Sequence, residues 1–223
     1  MLNFALLVYY NLAFDKLGRE VIEKCSLIPK FVNLLAQDSP NRMTALNILY
    51  LLSTDPGIRY TLAYTNCMDY VLKLILFPHP NVGGVELLAL AINLSANERN
   101  VEHLTEEDFY KILDKAIKSE DATMLKFCKN ILKSLKPEHE IHIGMKDIIK
   151  DRLVKMIMTN WKKEETCLEI LGIMANSKLG KEWTDILLAH DEFINNIEKK
   201  MVDGITPDDI LMAIVELIAN ICQ

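Results

Sequence analysis

The chain has 223 residues, half of them hydrophobic and a quarter charged, with only 8 Gly and 7 Pro; this composition suits a packed helical protein and excludes intrinsic disorder. Thirty-one acidic residues against 25 basic ones leave a net charge of -6, the wrong sign for a protein that grips duplex phosphate, so no nucleic-acid partner is expected. The five cysteines, Cys25, Cys67, Cys128, Cys167 and Cys222, are dispersed, odd in number and free of any CxxC pair, which reads as small core residues in a reducing compartment.

The N-terminus is apolar from Phe4 to Tyr10, but no basic region precedes it and Asn11 and Asp15 follow. It fits neither a signal peptide nor a membrane span. Residues 2–14 are expected to be the closing helix of a unit whose earlier helices are missing, making the chain a piece of a longer array. Helices are then expected over 17–25, over 27–35, with Pro29 where a missing N–H costs nothing, and over 41–53. Thr54-Asp55-Pro56 opens a further unit. A helix over 69–77 follows, the loop Pro78-His79-Pro80-Asn81 breaks it, and another helix runs through Asn93.

Thr105-Glu106-Glu107-Asp108 is a variant capping box ahead of the next helices, the last of which covers 121–135. Between 146 and 158, Ile149, Leu153, Met156 and Ile157 are spaced for a helix. Thr206-Pro207-Asp208-Asp209 predicts an N-cap, a proline at N1 and two acids in the first turn. The final helix runs to Gln223 and carries Leu211, Ile214, Val215 and Ile218 with no following unit to cover them. No stretch alternates as a strand would.

One phrase recurs through this series: YYNLAFDKLGRE from Tyr9, YLLSTDPGIRY from Tyr50, INLSANERNV from Ile92, KNILKSLKPEHE from Lys129, GIMANSKLGKEW from Gly172 and LIANICQ from Leu217. Its reference position falls on Asn11, Leu51, Asn93, Asn130, Ile173 and Asn220, separated by 40, 42, 37, 43 and 47 residues. Periods of about 40 to 47 residues are those of armadillo and HEAT helical units, which bury their apolar faces only by stacking. The expected fold is therefore all-α: one right-handed superhelical armadillo-type solenoid of about five full repeats plus a partial N-terminal one. Its units are 1–15, 16–54, 55–97, 98–136, 137–177 and 178–223.

In such units the third helix lines a concave groove. Asn11, Asn93, Asn130 and Asn220 in register can present amides to an extended peptide, although an Asn late in a helix also bonds a nearby carbonyl. Four residues earlier, on the same helix face, stand Leu7, Asn47, Ala89, Lys126, Glu169 and Glu216. A receptor for nuclear-localisation signals would repeat Trp there, so that function is a poor match. Residues 111–136 hold seven lysines against Asp114, Glu120 and Asp121, a local excess of four positive charges. Lys126 and Lys133 share the inferred groove face with Asn130. The candidate protein-binding residues are thus Asn11, Asn93, Lys126, Asn130, Lys133, Glu169, Glu216 and Asn220.

Catalysis has no anchor. His139 and His142 stand three apart without HExxH spacing or an obvious third ligand, and they read as solvated histidines in a connector. His79, His103 and His190 have no recognisable nucleophile motif beside them, and Val82-Gly83-Gly84-Val85 lacks the lysine and spacing of a phosphate loop. Trp183 is expected to pack rather than stack on a ligand. No cofactor or metal is expected.

Several segments together resemble one family. YYNLAFD (Tyr9 to Asp15), LIPKFVNLL (Leu27 to Leu35), ILYLLSTD with AYTNC (Ile48 to Cys67), INLSANERNV (Ile92 to Val101), MLKFCKNI (Met124 to Ile131) and LGIMANSKLGKEW (Leu171 to Trp183) are similar to the armadillo region of kinesin-associated protein, the non-motor subunit of heterotrimeric kinesin-2. AYTNC and NLSANERNV are more specific than generic armadillo text. The resemblance implies a cytoplasmic and ciliary adaptor, with no enzyme activity, that binds kinesin-2 motor tails and cargo adaptors in microtubule-based and intraflagellar transport without inserting into membrane. The alternative is an unrelated armadillo or HEAT scaffold of a junctional, signalling or transport complex.

Overall fold

The computed structural model of the chain describes residues 2–80 and 82–222. Asn81, in the expected 78–81 loop, and Gln223, the expected helix end, lie outside the described residues. Among the described residues every regular element is helical, and the one β-bridge pairs His79 with Val82 across the loop. The chain divides into two compact units, Met1–His103 and Leu104–Gln223.

The first unit contains α1 (Leu2–Ala13), α2 (Lys16–Lys24), α3 (Ile28–Ala36), α4 (Arg42–Ser53), α5 (Pro56–Leu62), α6 (Cys67–Leu76), α7 (Val85–Ser95) and α8 (Glu98–Val101). Short helices recur because the breakers are also caps. The carboxylates of Asp15 and Asp55 and the amide oxygen of Asn97 accept N–H bonds from the first turns of α2, α5 and α8, satisfying donors that otherwise have no partner. Pro29 and Pro56 sit in first turns, where an N–H is dispensable. Helices α1, α4 and α7 pack in series, with α3 and α6 behind α4 and α7. Ala45, Leu46, Ile48, Leu49 and Leu52 of α4 are fully buried between them.

The chain turns sharply from α1 into α2. A Cβ on Gly18 would lie 2.0 Å from the carbonyl oxygen of Leu12, so glycine is required for this approach of the two backbones. Arg19 bridges the same corner, its guanidinium donating to the carbonyls of Ala13 and Phe14 at 3.0 Å each.

The second unit contains α9 (Glu106–Ser119), α10 (Ala122–Ser134), α11 (Glu140–Ile148), α12 (Val154–Asn160), α13 (Glu164–Ala175), α14 (Trp183–Leu188), α15 (Asp191–Val202) and α16 (Asp208–Ile221). Thr105 caps α9 by accepting from the Asp108 N–H, and Asp121 caps α10. The helix expected over 146–158 begins earlier, at Glu140, because the His139 ring accepts from the Ile141 N–H. It continues to Asn160 through a single π turn at Ile149–Leu153, a one-residue widening of the kind tolerated inside α-helices. Thr206 does not cap the last helix as expected. Its hydroxyl and N–H turn back to the Asp203 carboxylate at 2.9 and 3.0 Å, and Pro207 stands directly before the helix.

Helices α10, α13 and α16 pack in series, as do α9 on α10 and α12 on α13. The middle member, α13, is buried on nearly every side from Thr166 to Ala175, which is why its apolar residues follow no single stripe. Trp183 is only 2% exposed, a packing residue as expected.

Candidate protein-binding face

The recurring asparagines have separate roles. In the first unit, Asn11 is exposed on α1. Asn93 on α7 is half-buried, and its amide donates to the Ser53 hydroxyl at the end of α4, at 2.9 Å. It therefore ties α7 to α4. In the second unit, Asn130 is half-buried on α10, and the amide of Asn220 donates to the Glu216 carbonyl one turn back in α16, at 2.9 Å. Asn160, Asn176 and Asn196 make the same one-turn bond to Met156, Gly172 and Glu192, so this local contact is common in the chain.

The lysine excess between 111 and 136 is partly neutralised, by Glu107 and Glu169 from outside the segment. Lys111 reaches Glu107 and Lys118 reaches Asp114, each at 2.6 Å along α9. These pairs hold the Glu107 and Asp114 carboxyls below the ordinary carboxylate range. Lys129 leaves α10 for Glu169 of α13, again at 2.6 Å. Glu169 is only 7% exposed, so this pair is an internal link between the two helices and not a groove carboxylate open to a partner. Lys126 and Lys133 are exposed on α10, and neither ammonium has a carboxylate partner among the described residues. With Asn130 between them, they occupy the helix side opposite the buried Met124, Cys128, Ile131 and Leu132.

Lys129 is the residue that sequence reasoning passed over. The signal for it is Gly172, at the equivalent position on α13: a Cβ there would come within 2.3 Å of the Lys129 Cδ. The lysine stem therefore crosses α13 where the helix has no side chain.

Across the face, Glu216 is exposed on α16 with Asp209 two turns before it. A shallow cleft of about 540 Å³ lies here, lined by Leu168, Met212, Val215 and Ala219 together with these two carboxylates. Met212 and Val215 are 67% and 49% exposed. The face of this unit thus passes from two unpaired ammonium groups on α10, through an internally neutralised α13, to an apolar cleft with two carboxylates on α16.

No group of three His, Cys, Asp or Glu among the described residues could hold a metal ion. His139 caps α11, while His142 is buried with Nδ1 3.1 Å from the Ser177 carbonyl oxygen. Burial pushes the His142 imidazole down to about 4 and the Cys67 and Cys167 thiols up to about 12, which opposes both imidazolium and thiolate chemistry there. No helix among the described residues is long and apolar enough to cross a membrane.

Two solved structures show the same fold. An engineered protein matches with a TM-score of 0.71 at 13% identity, covering 98% of this chain and 89% of that one. A designed armadillo repeat protein in complex with the peptide (KR)4 matches with a TM-score of 0.70 at 14% identity, covering 99% and 92%. The fold is accordingly an all-helical solenoid of the armadillo type. The sequence matches the model of the kinesin-associated protein (KAP) family over residues 1–223, and the chain belongs to that family.

Proposed function

We propose that the protein is a non-catalytic adaptor, an accessory subunit that binds the tails of kinesin-2 motors and links them to cargo adaptors in microtubule-based and intraflagellar transport. It acts in the cytoplasm, on the cytoskeleton and at the cilium. The family match across the whole chain is the observation that carries this reading. The geometry supports a binding role: the helices bury a core between one another and leave on one face polar side chains such as Lys126 and Lys133 together with exposed apolar ones such as Met212 and Val215. Such a surface can engage a partner without rebuilding the core. The designed repeat protein of similar fold holds a peptide, (KR)4, and an analogous mode here would place a partner segment along third helices. The test is co-elution and calorimetric titration of the purified chain with recombinant tails of the two kinesin-2 motor chains. Saturable binding is the expected result. A folded chain that binds neither tail would overturn the proposal.

A further inference from the structure

The second unit carries two charged patches of opposite sign on one series of packed helices. On α10, Lys126 and Lys133 are seven residues apart, about 10 Å at ~1.5 Å per residue, and both are exposed and unpaired among the described residues. On α16, Asp209 and Glu216 are also seven apart and exposed, flanking the apolar cleft that contains Met212 and Val215. Between them α13 adds no free charge at its centre, since Lys129 neutralises Glu169. Helix α10 packs on α13 and α13 on α16. At about 8–10 Å per interhelical step the patches stand ~20 Å apart, the length of about six extended residues.

We propose that this face binds an extended segment of a partner protein in which an acidic cluster and a cluster of lysines or arginines are separated by about six residues. The acids lie over Lys126 and Lys133, with the Asn130 amide between them. The basic side chains reach Asp209 and Glu216 while their aliphatic stems cover Met212 and Val215, as long cationic side chains do on apolar surface. Uniformly acidic and uniformly basic segments are each repelled at one end, so the arrangement selects a segment with segregated charge. This deepens the adaptor reading and rests on it only in taking the occupant to be a protein segment.

The test uses two synthetic peptides of one composition. The first carries Glu-Glu and Lys-Lys separated by six uncharged residues; the second alternates the same charges. Their binding to the full chain is followed by fluorescence anisotropy at low salt, and again at about 0.5 M salt, where screening removes most surface attraction. The segregated peptide is expected to bind more tightly than the alternating one. K126E/K133E and D209K/E216K should each weaken it about tenfold, the scale of two surface ion pairs lost, with the difference vanishing at high salt. Circular dichroism establishes that each variant is folded, and K126Q/K133Q, which removes charge without reversing it, should give a smaller loss. Equal binding of the two peptides, or unchanged binding by the folded charge-reversed variants, overturns the inference. Because no motor tail is used, tail binding without peptide discrimination refutes this inference alone, and discrimination without tail binding refutes the kinesin-2 reading alone.

Discussion

Replacing Gly172 with Ala tests the link between α10 and α13. In an ordinary helix interior the change stabilises by about 0.5–1 kcal/mol, because Gly has more backbone entropy to lose on folding. Here the new methyl would lie 2.3 Å from Cδ and 3.2 Å from Cγ of Lys129, so the stem must leave α13 and its ammonium must leave Glu169. Stranding one member of a fully buried pair costs about 3–5 kcal/mol. Neither member is fully buried, the Lys129 side chain being 22% and that of Glu169 10% exposed, so a cost below that range, about 2 kcal/mol, is the fitting figure for the Glu169 carboxylate left behind. The net effect of G172A in the wild-type background is therefore a loss of about 1 kcal/mol. In a K129A background the obstacle and the pair are already gone, and the same substitution should stabilise by about 0.5–1 kcal/mol. The reversal is measured by a double-mutant cycle in urea, followed by tryptophan fluorescence. Both indoles, Trp161 and Trp183, belong to the second compact unit and report on it directly. Equal stabilisation in both backgrounds would refute the argument that Gly172 exists to seat the lysine.

Gly18→Ala should destabilise the first unit by about 3 kcal/mol or more, since the obstruction is the Leu12 carbonyl, a backbone atom that cannot swing aside as a lysine stem can; circular dichroism melts of the two proteins would show it, and equal melting temperatures would exclude it. Of the five cysteines, the exposed Cys25 and Cys222 should react with a thiol reagent in native buffer, while the buried Cys67, Cys128 and Cys167 react only after denaturation; mass spectrometry after alkylation counts them. The His142 imidazole, lowered from 6.5 to about 4 by burial and then by the Lys178 charge, stabilises as the neutral ring above pH 6.5. That contribution falls away as the pH drops toward 4, by about 3 kcal/mol in full. Urea midpoints taken near neutrality and at about pH 4.5 should consequently fall further for the wild type than for His142→Gln, and parallel slopes would refute the assignment.

The helix starts at Asp55 and Thr105 were legible because helix ends carry chemistry. Asp15, Asp55, Asn97, Thr105 and Asp121 each satisfy the first N–H groups of the helix they precede, and a side chain that caps does so through contacts only two or three residues away. The same local logic misleads where a second acceptor competes. Thr206 reads as a cap from its neighbours alone, but Asp203 three residues earlier binds it through hydroxyl and N–H together. A charged acceptor makes the stronger hydrogen bonds, and the Asp203 carboxylate takes both groups of Thr206. The start of α11 is hidden for the opposite reason: His139, an uncommon cap, supplies a ring nitrogen where a carboxylate or hydroxyl is usual.

The face of the third helices was legible as a register but not as a set of side-chain partners. Equivalent positions fix where each Cα lies on its helix, and Lys126, Asn130 and Lys133 do share the outer side of α10. Where a side chain ends depends on what the adjacent helix offers. Asn93 finds Ser53 and is drawn into the stack, whereas Asn220 bonds the carbonyl of Glu216 one turn back in its own helix. Glu169 stands at the position of Lys126 and Glu216, yet it alone of the three is buried, because Lys129 arrives across Gly172 to neutralise it. A carboxylate taken out of water persists as a charge only with such a partner. The absence of a side chain at Gly172 therefore decides whether Lys129 is held on Glu169 or released to the face. This predicts that lengthening residue 172 changes the charge a ligand meets as well as the stability: in the folded G172A protein, the displaced Lys129 should add a third ammonium beside Lys126 and Lys133. An acidic peptide titrated by anisotropy should bind G172A more tightly than wild type at low salt and equally at high salt. Weaker or unchanged low-salt binding would mean that Lys129 stays on Glu169 and the helices move apart to admit the methyl.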